Sequence, residues 1–300
     1  MKIIFWGTRG SIPTPGETTV KYGGNTPCVE LRFDDDNFII LDAGTGIRNL
    51  GEKIIESGSS INTYVLISHP HWDHIQGFPF FKPAFISGNE ITIVCAEFDG
   101  ISLPQMISDQ MNKAYFPIQL NELKANINFK SVREEEFDVF GANVKTLFLN
   151  HPLFAIGYRI TYRNKSITYI SDNEPFDRYV AQTIKNVHTE IIKKYLEYKN
   201  EPNQHLFDFV MGSDILIYDS TYTPEEYIDR VGWGHSHYLF SLKVAAEGNV
   251  KNLVLFHHDP SHNDAKIDEI YSKCLKEIKN RNYKFLCHPA YEGFVMNLNT

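Results

Sequence analysis

The sequence predicts an α/β fold, and three observations carry that prediction. Short, largely apolar runs with strand character alternate with helical ones from end to end. Helical periodicity is plain in two of the intervening segments. Of the 300 residues, 42% are hydrophobic and 13% aromatic, enough to fill a large core. No Gly/Ser or Pro-rich linker and no low-complexity tract divides the chain, so residues 1–300 are read as a single domain.

Taken in order, Met1-Lys2-Ile3-Ile4-Phe5-Trp6 runs straight into Gly7-Thr8-Arg9-Gly10, too short for a signal-peptide apolar region and without a small-residue cleavage site. Strands are expected at Cys28 to Phe33, Phe38 to Leu41, Tyr64 to Ile67, Ile91 to Cys95, Val144 to Leu149, Ile167 to Ile170, Ile215 to Tyr218 and Leu253 to Phe256. Turn-forming residues place hairpins at Asp34-Asp35-Asp36-Asn37 and Arg163-Asn164-Lys165. Ile184, Val187, Ile191, Ile192, Tyr195 and Leu196 line one helix; Ile267, Ile270, Tyr271, Cys274, Leu275 and Ile278 line a later one. Two stretches read as excursions: 100–125, rich in Pro, Met and aromatics, is either a lid or surface packing, and 197–207 is polar and turn-rich.

Charge narrows the partners. Against 29 Lys and Arg stand 37 Asp and Glu, a net charge of -8 with histidine neutral. Nothing resembles a basic stripe that would release counterions from RNA or DNA, so long nucleic acid is not expected as a partner, whereas a small anion at one local site is compatible. No uncharged run approaches the roughly 18 apolar residues of a membrane span. A soluble, cytoplasmic protein is expected. The cysteines Cys28, Cys95, Cys274 and Cys287 never form a C-x-x-C pair and read as reduced core thiols. Both a monomer and a homodimer fit the pattern.

The chain has 12 histidines, and their placement carries the chemistry. Tyr64-Val65-Leu66-Ile67-Ser68 reads as a buried strand running into His69-Pro70-His71-Trp72-Asp73-His74. In an extended segment residues two apart point the same way, so His69 and His71 can grip one metal ion. Asp73 and His74 follow at the turn and can reach a second. Packing so many titratable groups together is costly without a shared ligand.

This H-x-H-x-D-H string resembles the metallo-β-lactamase-fold metallohydrolases, and the resemblance extends over nearly the whole chain. It implies a four-layer αββα sandwich. Asp42, in Leu41-Asp42-Ala43-Gly44, is similar to the family's carboxylate beneath the metal site; His151, in Asn150-His151-Pro152, to a further metal histidine; Asp172, in Ser171-Asp172-Asn173-Glu174, to the aspartate bridging two metals; and His257, after Leu253-Val254-Leu255-Phe256, to the last metal histidine. His258 takes that place if the strand register shifts by one; alternation favours His257. Each candidate lies just past a predicted strand. The resemblance thus implies His69, His71 and His151 on one ion, Asp73, His74 and His257 on the other, and Asp172 on both. A water between two ions about 3.5–4 Å apart loses a proton near neutral pH and becomes a nucleophile. Mixed N and O ligands suit zinc, with manganese or iron as alternatives.

Gly232-Trp233-Gly234-His235-Ser236 resembles the Gly-His-Ser motif of the phosphodiesterase and ribonuclease Z-like branch, whose histidine contacts the scissile phosphate and protonates the leaving oxygen. An aspartate at position 172, where many true β-lactamases have cysteine, also favours phosphodiesters over lactams. Glu174 is a candidate to orient His235, with a surface carboxylate as the alternative. Gly7-Thr8-Arg9-Gly10-Ser11 and Tyr22-Gly23-Gly24-Asn25-Thr26 also resemble the branch: glycine lets backbone approach the site, and Arg9 is a candidate phosphate partner, with a plain tight turn as the alternative reading. Leu153 and Phe154 depart from the small residues usual after His151-Pro152 and would narrow the pocket. His237 either lines that pocket or caps the following helix. His262 and His288 are candidates for the rim; His188 and His205 read as structural.

The function these residues imply is a dinuclear-metal phosphodiesterase with Asp73 and His235 as catalytic groups and a small substrate, such as a cyclic nucleotide or other cyclic phosphate. The alternatives are a ribonuclease Z-like tRNA 3′-end endonuclease, although no glycine-rich arm is evident; a lactonase or thioesterase on the same fold; and a metal-stabilised module that senses a nucleotide without cleaving it.

Overall fold

The structure, a computed structural model, describes residues 1–58, 60–97, 100–152, 155–176 and 201–298. The chain divides into two compact units: Met1–Arg133 with Asp138–Gly141 and Tyr291–Thr300, and Glu134–Phe137 with Ala142–Ala290.

The first unit contains β1 (Lys2–Gly7), β2 (Cys28–Arg32), β3 (Phe38–Leu41), α1 (Gly46–Ser57), β4 (Asn62–Leu66), α2 (Trp72–Ile75), β5 (Glu90–Cys95), α3 (Leu103–Asp109) and β6 (Asn126–Ser131). With the C-terminal strand β14 (Val295–Asn297) they form a seven-stranded sheet ordered β14-β1-β2-β3-β4-β5-β6. β14, β1, β2 and β3 pair antiparallel; β3 to β6 are parallel. Parallel neighbours need a crossover rather than a tight turn, and α1 is the crossover from β3 to β4. Its Ile47, Leu50 and Ile54 share a buried cluster with Ile40, Val65, Ile91 and Ile93. Full burial of each such side chain contributes roughly 1.5–3 kcal/mol. Every residue of β3 is buried, so this strand shows a continuous apolar run rather than alternation.

The second unit has the same plan. Its strands β7 (Glu136–Val139), β8 (Ala142–Leu149), β9 (Ala155–Tyr162), β10 (Lys165–Ile170), β11 (Ile215–Asp219), β12 (Asn252–Phe256) and β13 (Leu286–Pro289) form a sheet ordered β13-β12-β11-β10-β9-β8-β7. β10 to β13 are parallel; β8, β9 and β10 are antiparallel. Helices α4 (Gln204–Val210), α5 (Pro224–Ile228), α6 (Tyr238–Glu247) and α7 (Asp264–Arg281) fall between its later strands. Leu242, Ile270 and Cys274 pack into a cluster with Leu216, Tyr218, Leu253 and Leu255.

All eight expected strands are present, with ends shifted by at most two residues. The expected stripe of α7 holds for Ile267, Ile270 and Cys274, which are buried, while Leu275 is 45% exposed. At 100° per residue Leu275 lies about 80° from Ile267, on the flank of the apolar face. The helix expected from Ile184 to Leu196, together with His188, Leu153 and Phe154, lies outside the described residues. Within 100–125, Leu103, Met106, Ile107 and Met111 are buried in the first unit's core. All four cysteines are buried and unbridged, and burial pushes the Cys95 thiol up to about 12. Among the described residues no helix is long and apolar enough to cross a membrane.

Candidate active site

In each unit the candidate residues collect at the C-terminal edge of the parallel strands. Register makes this edge level: Leu41 pairs with Leu66 in the first sheet, and Asp219 with Phe256 in the second. Asp42, Ser68 and His69 therefore emerge together, as do Asp172, Asp219 and His257. Such edges are where open α/β sheets bind ligands.

In the first unit the centre is Asp42, fully buried and in the left-handed region at φ 59°. A non-glycine residue held there costs about 1 kcal/mol, a strain found where a side chain must be aimed. Its Oδ1 accepts from the Ser68 amide at 2.6 Å, and its Oδ2 from the Ser68 hydroxyl at 2.9 Å. The same Oδ2 lies 2.7 Å from His74 Nδ1. With Nδ1 as donor, His74 turns Nε2 outward, 3.2 Å from Asp73 Oδ2. His69 Nε2 lies 2.8 Å from His71 Nδ1, so the fold brings the two rings of the H-x-H pair together. The amide of Ser11 donates to Asp73 Oδ2 at 2.8 Å, so the Gly10-Ser11 backbone does approach the site. Imidazole nitrogens and a carboxylate, steered from behind by a buried carboxylate, are a donor set that fits a divalent metal ion.

In the second unit ligand atoms of Asp172, His235 and His257 lie within 4.8 Å of one another. His257, also left-handed at φ 61°, sets Nε2 at 3.3 Å from Asp172 Oδ1 and Nδ1 at 3.1 Å from Thr221 Oγ1. His258 instead turns away, its Nε2 2.8 Å from the Ala290 carbonyl. His151 Nδ1 lies 3.0 Å from the Gly234 carbonyl.

Asp219 has a role that sequence reading missed. It is fully buried; Oδ1 accepts from the Thr221 amide at 3.0 Å and hydroxyl at 2.7 Å. Oδ2 meets the Asn173 amide at 3.1 Å, the Ser236 amide at 3.2 Å and His235 Nδ1 at 3.1 Å. A signal was present, since Asp219 ends an otherwise apolar strand as Asp42 and Asp172 follow theirs. With Nδ1 held by Asp219, His235 presents Nε2 as its working edge.

Other candidates do different work. Glu174 is buried, not on the surface, and does not hydrogen-bond His235. Its Oε1 accepts from the Gly232 amide at 2.7 Å and the Tyr227 hydroxyl at 2.9 Å, and its Oε2 from the Gly234 amide at 3.0 Å. Burial raises its pKa, opposed by those donors. Arg9 is fully buried, with Nε donating to the Gly23 carbonyl at 2.8 Å, which ties the two glycine-rich N-terminal segments together. His237 caps α6, its Nδ1 accepting from the Phe240 amide at 3.3 Å. His262 pairs with Glu226 at 3.0 Å. His288 lies on β13, and burial lowers its pKa; His205 lies on α4.

Gly234 makes the loop possible. At φ 87°, an added Cβ would stand 2.2 Å from His151 Nδ1 and 2.4 Å from Pro152 Cδ. Gly234→Ala should therefore cost about 1–3 kcal/mol in denaturant unfolding and displace His151. Gly232→Ala, at φ 91° with nothing within 4 Å, should bear only backbone strain. Equal losses in the two variants would contradict this reading.

The sequence matches the Beta-lactamase superfamily domain over residues 37–200. Ribonuclease Z from Thermoplasma volcanium is 26% identical over 88% of this chain and 89% of its own length. Among solved structures, the metallo-beta-lactamase fold protein YhfI from Bacillus subtilis superposes with a TM-score of 0.67 at 15% identity, covering 99% of both chains. The short form of human tRNase Z gives 0.63 at 17% identity over 100% of both. These structural likenesses establish the fold as the αββα metallo-β-lactamase type. With its family match spanning more than half its length, the chain belongs to the beta-lactamase superfamily.

Proposed function

We propose that this protein is a metal-dependent hydrolase of phosphodiester bonds, with residues 1–300 working as one catalytic domain and a small cyclic phosphate such as a cyclic nucleotide as substrate. The observation that carries the reading is His235: a histidine on a glycine-containing loop, held through Nδ1 by a buried carboxylate, has Nε2 left to move a proton, which supports a catalytic role. A module that only sensed nucleotides would not need that arrangement. The net charge of -8 supports a small substrate over a long polyanion.

His69, His71 and His151 would hold one divalent ion, Asp73, His74 and His257 the other, and Asp172 both. Such ions would supply Lewis acidity toward phosphoryl oxygens and activation of water. The N and O donors suit zinc, and manganese or iron also fit. Asp42 orients His74, Asp73 holds the proton of the attacking water, and His235 delivers one to the departing alkoxide. Four buried, unbridged thiols fit a reducing compartment, which supports a cytoplasmic setting.

Metal analysis tests the frame of this reading. The purified protein should carry about two transition-metal ions per chain, and Asp172→Ala should lower both. A folded protein that holds no metal and takes none up on reconstitution would overturn it. Substrate class is tested separately with an aryl phosphodiester, cyclic mononucleotides, a β-lactam and precursor tRNA. The diesters should be turned over far faster than the last two. A second reading, a ribonuclease Z-like endonuclease, is favoured by the Thermoplasma relative's name. Efficient 3′-end cleavage of precursor tRNA with steep salt dependence would put it first.

A further inference from the structure

Among the exposed aromatic side chains, Trp233 lies on the loop that carries His235. Trp233 is 61% exposed, although its neighbours are held rigidly. Glu174 clamps the amides of Gly232 and Gly234 on either side, and the Trp233 amide itself donates to the Arg230 carbonyl at 3.1 Å. Apart from its contact with Arg230, this indole buries little apolar surface.

The loop that carries this indole is informative. The carbonyl of Gly234, one residue on, contacts His151, and His235 follows directly. Trp233 therefore stands within two residues of a proposed metal ligand's partner and of the proposed proton donor. The guanidinium of Arg230 lies 6.0 Å from the centroid of its ring and 5.1 Å from that of Tyr222, so a cation rests on the exposed indole.

We propose that Trp233 is a specificity-determining residue, a stacking face for the base of a nucleotide substrate on its leaving-group side. The proposal rests on the phosphodiesterase reading, because it is His235 that marks this side of the scissile bond. Stacking on an indole accepts any base, so it selects nucleotides over other cyclic phosphates without selecting among bases.

The test compares two substrates that break the same kind of bond, adenosine 2′,3′-cyclic phosphate and glycerol 1,2-cyclic phosphate, of which only the first carries a base and its ribose. Trp233→Ala should lower kcat/KM for the nucleotide by about 10-fold, the size of one base–aromatic contact, and leave the glycerol ester within about twofold. Trp233→Phe should recover most of the loss. A second readout does not depend on turnover. In a Trp72→Phe background, adenosine monophosphate should quench tryptophan fluorescence, and Trp233→Ala should abolish the response. Equal losses on both esters, or unchanged kinetics and no quenching, overturn the proposal. If neither ester is hydrolysed but quenching is seen and depends on Trp233, the stacking face stands and the phosphodiesterase reading fails.

Discussion

His235→Ala should keep its metal and its fold and lose about 10² to 10⁴ in activity, the usual contribution of a positioned general acid. Its side chain is 12% exposed, and its Nδ1 is already engaged at 3.1 Å by Asp219, so the ring can be removed without emptying the core. The loss should depend on the leaving group. Nitrophenolate departs as a stable anion and needs little protonation, so the defect shrinks; a ribose hydroxyl needs the proton and suffers fully. Because Asp172, His235 and His257 lie within 4.8 Å of one another, metal content must be measured on the same sample. Loss of an ion would make His235 a ligand. A defect of equal size on both leaving groups would make it a phosphate-binding residue instead.

Asp219→Asn should produce the second large effect, on activity and on stability together. The carboxylate is met by five N–H and O–H groups. An amide offers one acceptor oxygen and turns an NH₂ toward the remaining donors. Leaving buried donors unpaired costs about 1–3 kcal/mol each, so unfolding should require clearly less denaturant. Activity should fall by about 10² to 10⁴, because a histidine whose orienting carboxylate becomes an amide adopts the wrong tautomer. If Asp219 acts through His235, the double variant should be little worse than His235→Ala alone. Losses that multiply independently would mean that Asp219 serves only the fold.

The histidine cluster was legible in the sequence because its geometry is local. His69, His71, Asp73 and His74 sit within six residues, and strand alternation alone aims the first two together. The same locality made the buried strands visible, since β3 is apolar throughout and β11 is apolar up to its last residue, Asp219. Strands with a mixed face escaped: β6 reads Asn126-Ile127-Asn128-Phe129-Lys130-Ser131, and its pairing with β5, not its composition, makes it a strand. The α1 helix was there to be read in Ile47, Leu50 and Ile54, and was missed.

What tertiary structure alone decided is which polar groups face one another across long sequence separations. Asp42 meets His74 across 32 positions, and Asp219 meets His235 across 16. Neither pairing follows from periodicity, because both depend on strand register and on loops whose path is set by packing. For the same reason the sequence leaves Glu174 between orienting His235 and lying on the surface, whereas the fold directs its carboxylate to the amides of Gly232 and Gly234. Arg9 is a candidate phosphate partner by sequence, and the fold buries it with its Nε on the Gly23 carbonyl. Residue types and local spacing determined which groups are candidates for chemistry; which of them meet was decided only by strand register and loop path, because a buried charge is costly without partners.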